Sequence, residues 1–380
     1  MEKVSHLRVE SASGLETVCR RLHEAVNLLG GMDSFVKRGS RVLLKPNCGS
    51  LSPPEAGRNT DPGIIEAMVI LLKEAGVHDI TIGEASIIGT DTMEVFRLMG
   101  LDGVARRHRV NLVDLNRGPV HKKAVPDPLV LSYVKVFSIA DEVDAIINLA
   151  KLKTISSVTV SLGLKNFKGL IPDYEKRRFH HTDLSRSIVD LNKVVRGQLT
   201  IIDGIIASEF YEPRETGMIF AGANALATDS VAAGAIGIDP AGVDYLSMAS
   251  EAGLGPVDAA HIAVCGDPLP EPLTDFRKAP EQSGAFSDLF PEVEIIDGKS
   301  CSGCASALYV SLKAAKKSGL LRRIPHLSLV VGPDVEKIPE GVSVLCLGNC
   351  TRNHQCDDFL VGCPFTSMEF VDYLEKVKSN

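Results

Sequence analysis

A chain of 380 residues exceeds one small module and, at roughly 100 to 200 residues per domain, leaves room for two or three. Hydrophobic residues make up 44% and mean hydropathy is +0.10, too apolar for a chain that is mainly disordered. With 41 basic against 48 acidic residues the net charge is −7, so no basic footprint for nucleic acid or an anionic membrane is visible.

The opening MEKVSHLRVE has no uninterrupted apolar stretch; neither a signal peptide nor a membrane anchor is expected, and the reading is cytoplasmic. Short β-rich runs alternating with helical stretches then predict an α/β fold, a largely parallel sheet with crossover helices. The first strand expected is Arg41 to Leu44, running into Lys45, Pro46 and Asn47. A helix follows, started by Thr60, Asp61 and Pro62, with Ile64, Ile65, Met68, Val69 and Leu72 at helical spacing and Gly76 to stop it.

Further strands are expected at His78 to Ile82, Val110 to Val113, Val143 to Leu149, Leu199 to Ile202 and His261 to Val264. The residues at or just beyond their carboxyl ends are polar: Lys45 and Asn47, Glu84, Asp114, Lys151 and Lys153, and Asp203. Ligands of open α/β sheets bind in the crevice outside those ends, so these residues are expected to share a site. The plainer alternative is that Asp and Gly make good turns there.

Beyond Asp239 and Pro240 the pattern loosens into a Pro-rich, polar connection. The expected organisation is an α/β domain over 1–245, a connection over 246–290 and a smaller cysteine-rich α/β module over 291–380. That module is expected to hold strands at Val293 to Ile296, Leu327 to Val331 and Val342 to Leu347, and helices at Ala305 to Lys317 and Thr366 to Val377.

Six of the nine cysteines lie after position 300. In a reducing compartment this favours metal binding over a disulfide framework. Cys301 and Cys304 form a CxxC between a strand and a helix start, where unpaired backbone N–H groups stabilise anionic sulfur. Thiolates from separate segments are what an iron–sulfur cluster requires. The preferred ligands are Cys301, Cys304, Cys350 and Cys363 around one [4Fe–4S] cluster, with Cys356, Cys346 and His354 in reserve. A four-cysteine zinc site uses the same residue types, and a thioredoxin-like pair would use Cys301 and Cys304 alone. Cys19, Cys48 and Cys265 are expected to be incidental.

The stretches LLKPN at 43–47, TDPGIIEAMVILLKEAG at 60–76, INLAKLKTISSVTVSLGLKNFKGLIP at 147–172, Phe179-His180-His181, LTIIDGI at 199–205 and GANALATDSVAAGAIGIDP at 222–240 together resemble the DUF362 family, uncharacterised proteins common in anaerobic bacteria and archaea. The resemblance implies iron–sulfur ligation and no established substrate. The tail looks like a family variant in which GxC and GCP follow an upstream CxxC, with Phe365 where a second Pro is common.

The segment SLGLKNFKGLIPDYEKRRFHH concentrates Lys165, Asn166, Lys168, Arg177, Arg178, His180 and His181. With Lys45, Lys151 and Lys153 it would form a cationic pocket for a small anionic substrate, unless it is simply a solvated basic loop. Lys45, Lys165, His180, His181 and Asp203 are the candidate catalytic residues, and Asn47, Asp61, Glu84, Lys151, Lys153 and Asn166 the candidate substrate contacts. His180 and His181 equally suit one covered and one surface residue. Asp203, Glu84, Asp61 and Asp229 could position a lysine or hold a divalent ion. No GxxxxGK[ST] occurs, so a P-loop is disfavoured.

The function expected is an iron–sulfur enzyme acting on a small anion, its cluster serving as electron relay or Lewis acid. The alternatives are a non-enzymatic electron carrier, or a small-molecule binding protein with structural zinc. A redox partner protein and homo-oligomerisation are open; nucleic acid and membrane are not expected partners.

Overall fold

The computed structural model describes residues 1–278, 280, 283–324, 327–338 and 343–377. They form two compact units, Met1–Thr154 with Val160–Arg277, and Ile155–Thr159 with Lys278–Asn380 as far as described. No helix among the described residues is long and apolar enough to cross a membrane.

The first unit is built on one large sheet and a small hairpin. Its strands are β1 (Glu2–Arg8), β2 (Arg41–Pro46), β3 (Asp79–Glu84), β4 (Asn111–Asp114), β5 (Val120–Ala124), β6 (Tyr133–Phe137), β7 (Ala145–Ile155), β8 (Thr159–Ser161), β9 (Leu199–Glu209), β10 (Glu212–Gly222) and β11 (Ile262–Gly266). The large sheet has the order β11-β1-β10-β9-β7-β2-β3-β4, with β8 on β7, while β5 and β6 pair apart from it. The run β9-β7-β2-β3-β4 is parallel throughout. β10 runs antiparallel to β9 and β1, and the sheet is largely parallel.

β9 is buried at all but one of its positions, as a central strand covered on both faces must be. One cover is the helix pair Leu15–Leu28 and Pro62–Glu74, which pack together. They bury Leu22, Val26, Ile65, Met68 and Leu72 with Leu44, Ile147, Leu149 and Ile201 of the central strands. At about 1.5–3 kcal/mol per fully buried large aliphatic side chain, this layer is a principal source of stability. The second helix begins where expected: the Asp61 carboxylate accepts the Gly63 N–H at 2.7 Å, Pro62 opens the first turn and Gly76 ends it at φ +78°.

β7 and β9 each run for 11 residues, well past the short apolar cores that mark them in the sequence. The first unit also extends to Arg277, beyond the expected end at 245, because β11 pairs in parallel with β1. The segment 163–182, expected to contribute to a cationic pocket with a solvated basic loop as the alternative, forms the short helix Gly163–Asn166, a turn and the helix Asp173–Thr182.

The second unit carries the parallel sheet β12 (Val293–Asp297), β13 (Leu327–Val331), β14 (Ser343–Leu347) and β15 (Asp358–Leu360), in that order. The helices Ser302–Lys317 and Ser367–Val377 pack against each other. Four elements match the sequence expectation closely; β15 was not foreseen, being only three residues long, and Val342 lies outside the described residues.

Candidate functional sites

In the first unit, parallel pairing brings the carboxyl ends of β9, β7, β2 and β3 side by side. Lys45 is opposite Asn148, and Lys151 is opposite Asp203. This juxtaposes residues distant in sequence, and the chemistry of each is then set by its neighbours.

Lys45 is fully buried, and its Nζ donates to Glu84 Oε2 at 2.6 Å and to the Pro46 carbonyl at 2.7 Å. Glu84 also accepts the N–H groups of Cys48 at 3.2 Å and Ala85 at 2.9 Å. Gly169 lies directly over this pair: a Cβ there would fall 1.8 Å from Glu84 Oε1 and 2.4 Å from Lys45 Cε. Lys151 is likewise committed, donating to Asp203 Oδ2 at 2.7 Å with both residues buried. Asp203 accepts the Asp61 N–H through the same oxygen at 2.7 Å. Burial, then the charge of Asp203, pushes the Asp61 carboxyl up.

An amide network joins the strand ends to the turn after β8. Asn166 Nδ2 donates to the Lys45 carbonyl at 3.2 Å and to Asn148 Oδ1 at 2.8 Å, while its Oδ1 accepts from Asn47 Nδ2 at 2.9 Å. Asn148 Nδ2 reaches the Gly163 carbonyl at 3.0 Å. Lys153 Nζ donates to Asn47 Oδ1. The buried Asp229 accepts the N–H groups of Gly163 at 2.7 Å and Leu164 at 2.9 Å, fixing the backbone that presents Lys165. Burial pushes Asp229 up to about 8 against those two bonds.

Lys153 and Lys165 therefore differ from Lys45 and Lys151: neither has a carboxylate partner among the described residues. Both keep partial solvent contact, yet enough protein surrounds them to disfavour charge. Burial, then the charges of Lys151 and Lys165, lowers Lys153 to about 7, and burial lowers Lys165 to about 7. His180 is also lowered, first by burial and then by the charges of Lys168 and Lys165. Its Nε2 lies 2.9 Å from Lys168 Nζ, and as a neutral ring it accepts that bond. His181 is exposed, so the two histidines divide into one covered and one surface residue. Arg178 turns away onto Tyr133, its Cζ 4.4 Å from the ring centroid.

Sequence reasoning missed Asn148 and Lys176. Asn148 is a buried amide inside the apolar run of β7, an oddity the sequence does display. Lys176 donates to the carbonyls of Ala85 at 3.0 Å and Ser86 at 2.6 Å, a role no spacing announces. A surface cavity of about 640 Å³ is lined by other residues, including Asp127, Arg186, Lys193, Arg196 and Glu251.

In the second unit, Cys301 is the N-cap of the helix Ser302–Lys317 and Cys304 lies in its first turn, 3% exposed. Cys350 follows β14, and Cys363 follows β15. The Cys304 thiol is pushed up by a hydrogen bond with Cys301, by burial, and by the charges of Cys301, Cys350 and Cys363. Gly348, at φ +93°, leaves room for the sulfurs: a Cβ there would stand 3.3 Å from Cys304 Sγ and 3.9 Å from Cys350 Sγ. Cys301, Cys350 and Cys363 are thus within electrostatic reach of Cys304 at a helix N-terminus.

Cys346 and Cys356, the reserve ligands, are instead bonded to each other as a disulfide with Cα atoms 5.9 Å apart. β14 places buried Cys346 in a small apolar cluster against which Cys356 packs. His354 Nε2 lies 3.4 Å from the Gly332 carbonyl. Among the described residues, no three or more His, Cys, Asp or Glu side chains are arranged to hold a single metal ion.

The model of a domain of unknown function, DUF362, matches residues 42–234. The chain belongs to the DUF362 family. That match spans β2 to the helix Ala225–Ala235 and so contains the whole lysine and amide network. A curated relative, the thylakoid-associated protein sll1697 of Synechocystis sp., is 30% identical over 294 residues, covering 74% of this chain and 88% of that protein. Among solved structures, the lactate racemase apoprotein from Thermoanaerobacterium thermosaccharolyticum has a TM-score of 0.36 and 13% identity, covering 59% of this chain and 54% of that one.

Proposed function

We propose that this DUF362 protein is an iron–sulfur enzyme: Cys301, Cys304, Cys350 and Cys363 hold one [4Fe–4S] cluster, and the lysine cluster of the first unit binds a small anionic molecule. The observation that carries the reading is the nearness of Cys301, Cys350 and Cys363 to Cys304, whose thiolate their charges make harder to form. Such an arrangement of soft anionic donors calls for bound cations. Cys301 and Cys304 would be held by the first turn of their helix, whose unpaired N–H groups favour negative sulfur. Gly348 would keep space beside Cys304 and Cys350. When bound, the cluster supplies one-electron transfer, or substrate coordination where an iron is left open.

In the first unit we assign Lys45 and Lys151 to holding Glu84 and Asp203 in place, and Lys153 and Lys165 to the anion. The latter two lack carboxylate partners, and an incoming carboxylate would supply the missing charge. Asn47 orients Lys153, and Asn166 fixes Asn47. His180, neutral and beside Lys168, is suited to proton transfer. We further propose a cytoplasmic setting and an electron-donor protein as partner.

The test is protein purified without oxygen, assayed for iron, acid-labile sulfide and zinc and examined by visible absorption. About four irons and four sulfides per chain, with a broad brown absorption that bleaches on reduction and is lost in Cys304→Ser, is the expected result. Zinc without sulfide would overturn the redox reading and leave a structural site.

A further inference from the structure

We propose that Lys165 is an imine-forming amine and that the small anion bound beside it is an oxo acid, a carbonyl compound carrying a carboxylate. This rests on the reading of the lysine cluster as an anion site and adds the covalent partner. The geometry begins with the backbone. Asp229 pins the N–H groups of Gly163 and Leu164, and Asn166 is hydrogen-bonded to Asn47, Asn148 and the Lys45 carbonyl. Lys165 thus sits between two anchored residues, its Cα fixed.

The lysines around it have acceptors: Lys45 on Glu84, Lys151 on Asp203, Lys153 on Asn47 and Lys176 on Asp173 and two carbonyls. Lys165 has no hydrogen-bond or ion-pair acceptor among the described residues. The charges it influences are those of Lys153 and His180. A partly covered amine beside another cation, with no acceptor to hold its protons, keeps its lone pair available for attack on carbon. Its depressed basicity, about 7, supports the same conclusion. Lys153 cannot take this role equally, because it is turned to Asn47; it is placed to hold the carboxylate.

The step is a condensation without redox change. The Lys165 nitrogen bonds to the carbonyl carbon, the carbon–oxygen bond breaks, and the oxygen leaves as water with the two amine hydrogens. The product is an imine whose carboxylate stays on Lys153.

The experiment uses the full-length protein with glyoxylate, the smallest oxo acid, and cyanoborohydride at neutral pH, read by intact mass and peptide mapping. Expected is one carboxymethyl group per chain, located on Lys165, with labelling slowed about tenfold in Lys153→Met through loss of the charge-assisted contact. Labelling spread over exposed lysines without preference for Lys165, or a chain-stoichiometric label unchanged in a folded Lys165→Arg variant, overturns the inference. If the variant fails to fold, mapping on the unaltered chain still decides. Calorimetry with glycolate, which lacks a carbonyl, separates the two levels. Glycolate binding that Lys153→Met abolishes, with Lys165 unlabelled by glyoxylate, defeats the imine and retains the anion site. Neither binding nor labelling defeats both.

Discussion

Lys45 and Lys165 meet opposite surroundings on one scaffold. Lys45 is sealed against Glu84, and an ion pair out of water is costly to break because the remaining charge is stranded. Lys45→Met is therefore expected to lower unfolding stability by about 3–5 kcal/mol in urea titration. Adding Glu84→Gln should recover part of it; a loss under about 1 kcal/mol would place the pair among surface bridges. Lys165 behaves inversely. Its folded value of about 7 lies below the ordinary 10.5, so between those pH values the unfolded chain holds a proton that the native state does not. Stability should therefore rise with pH across that window. Urea midpoints for Lys165→Met should rise less steeply there than those of the unaltered chain; identical slopes would show that the amine titrates normally.

At the scale of elements, the turn from Gly163 to Leu170 closes over the strand ends and cannot be displaced without disturbing the buried charges beneath it. Gly169 is the tightest point. Gly169→Ala is expected to cost about 2–4 kcal/mol, combining overpacking with a loosened ion pair, whereas a surface Gly→Ala change in a compatible conformation is mildly stabilising. Thermal unfolding distinguishes these, and an unchanged midpoint would mean that the turn yields freely. The hairpin between β9 and β10 shows a different economy: Phe210 and Tyr211 both adopt positive φ, 48° and 68°, the twist that two-residue hairpins require, without the glycine that normally signals it.

Across the whole molecule, the two units have separate sheets, and the proposed cluster would tie together only cysteine-bearing segments of the second. Stripping iron from the loaded protein with a chelator should accelerate amide exchange in the helix Ser302–Lys317 while the amides of β7 and β9 keep their protection. Uniform acceleration would mean that the units unfold as one; no change at Ser302–Lys317 would argue against ligation by Cys301 and Cys304.

Much of this was legible in the chain itself. Apolar runs such as those of β2, β7 and β9 mark strands because burial demands them, Asp61-Pro62 and Gly76 bound a helix because the backbone at its ends does, and the CxxC falls at a helix start, where the sequence puts it. What local pattern could not decide is which lysine keeps a partner. Lys45, Lys151, Lys153 and Lys165 are equivalent as letters, and their distinction arises from pairing between strands distant in sequence, which delivers Glu84 to one, Asp203 to another, an amide to a third and no carboxylate to the last. The same holds for the tail, where β14 brings Cys346 to Cys356 and the charges of Cys350 and Cys363 act on Cys304. Residue type sets which charges must be compensated; only the tertiary structure determines which ones are.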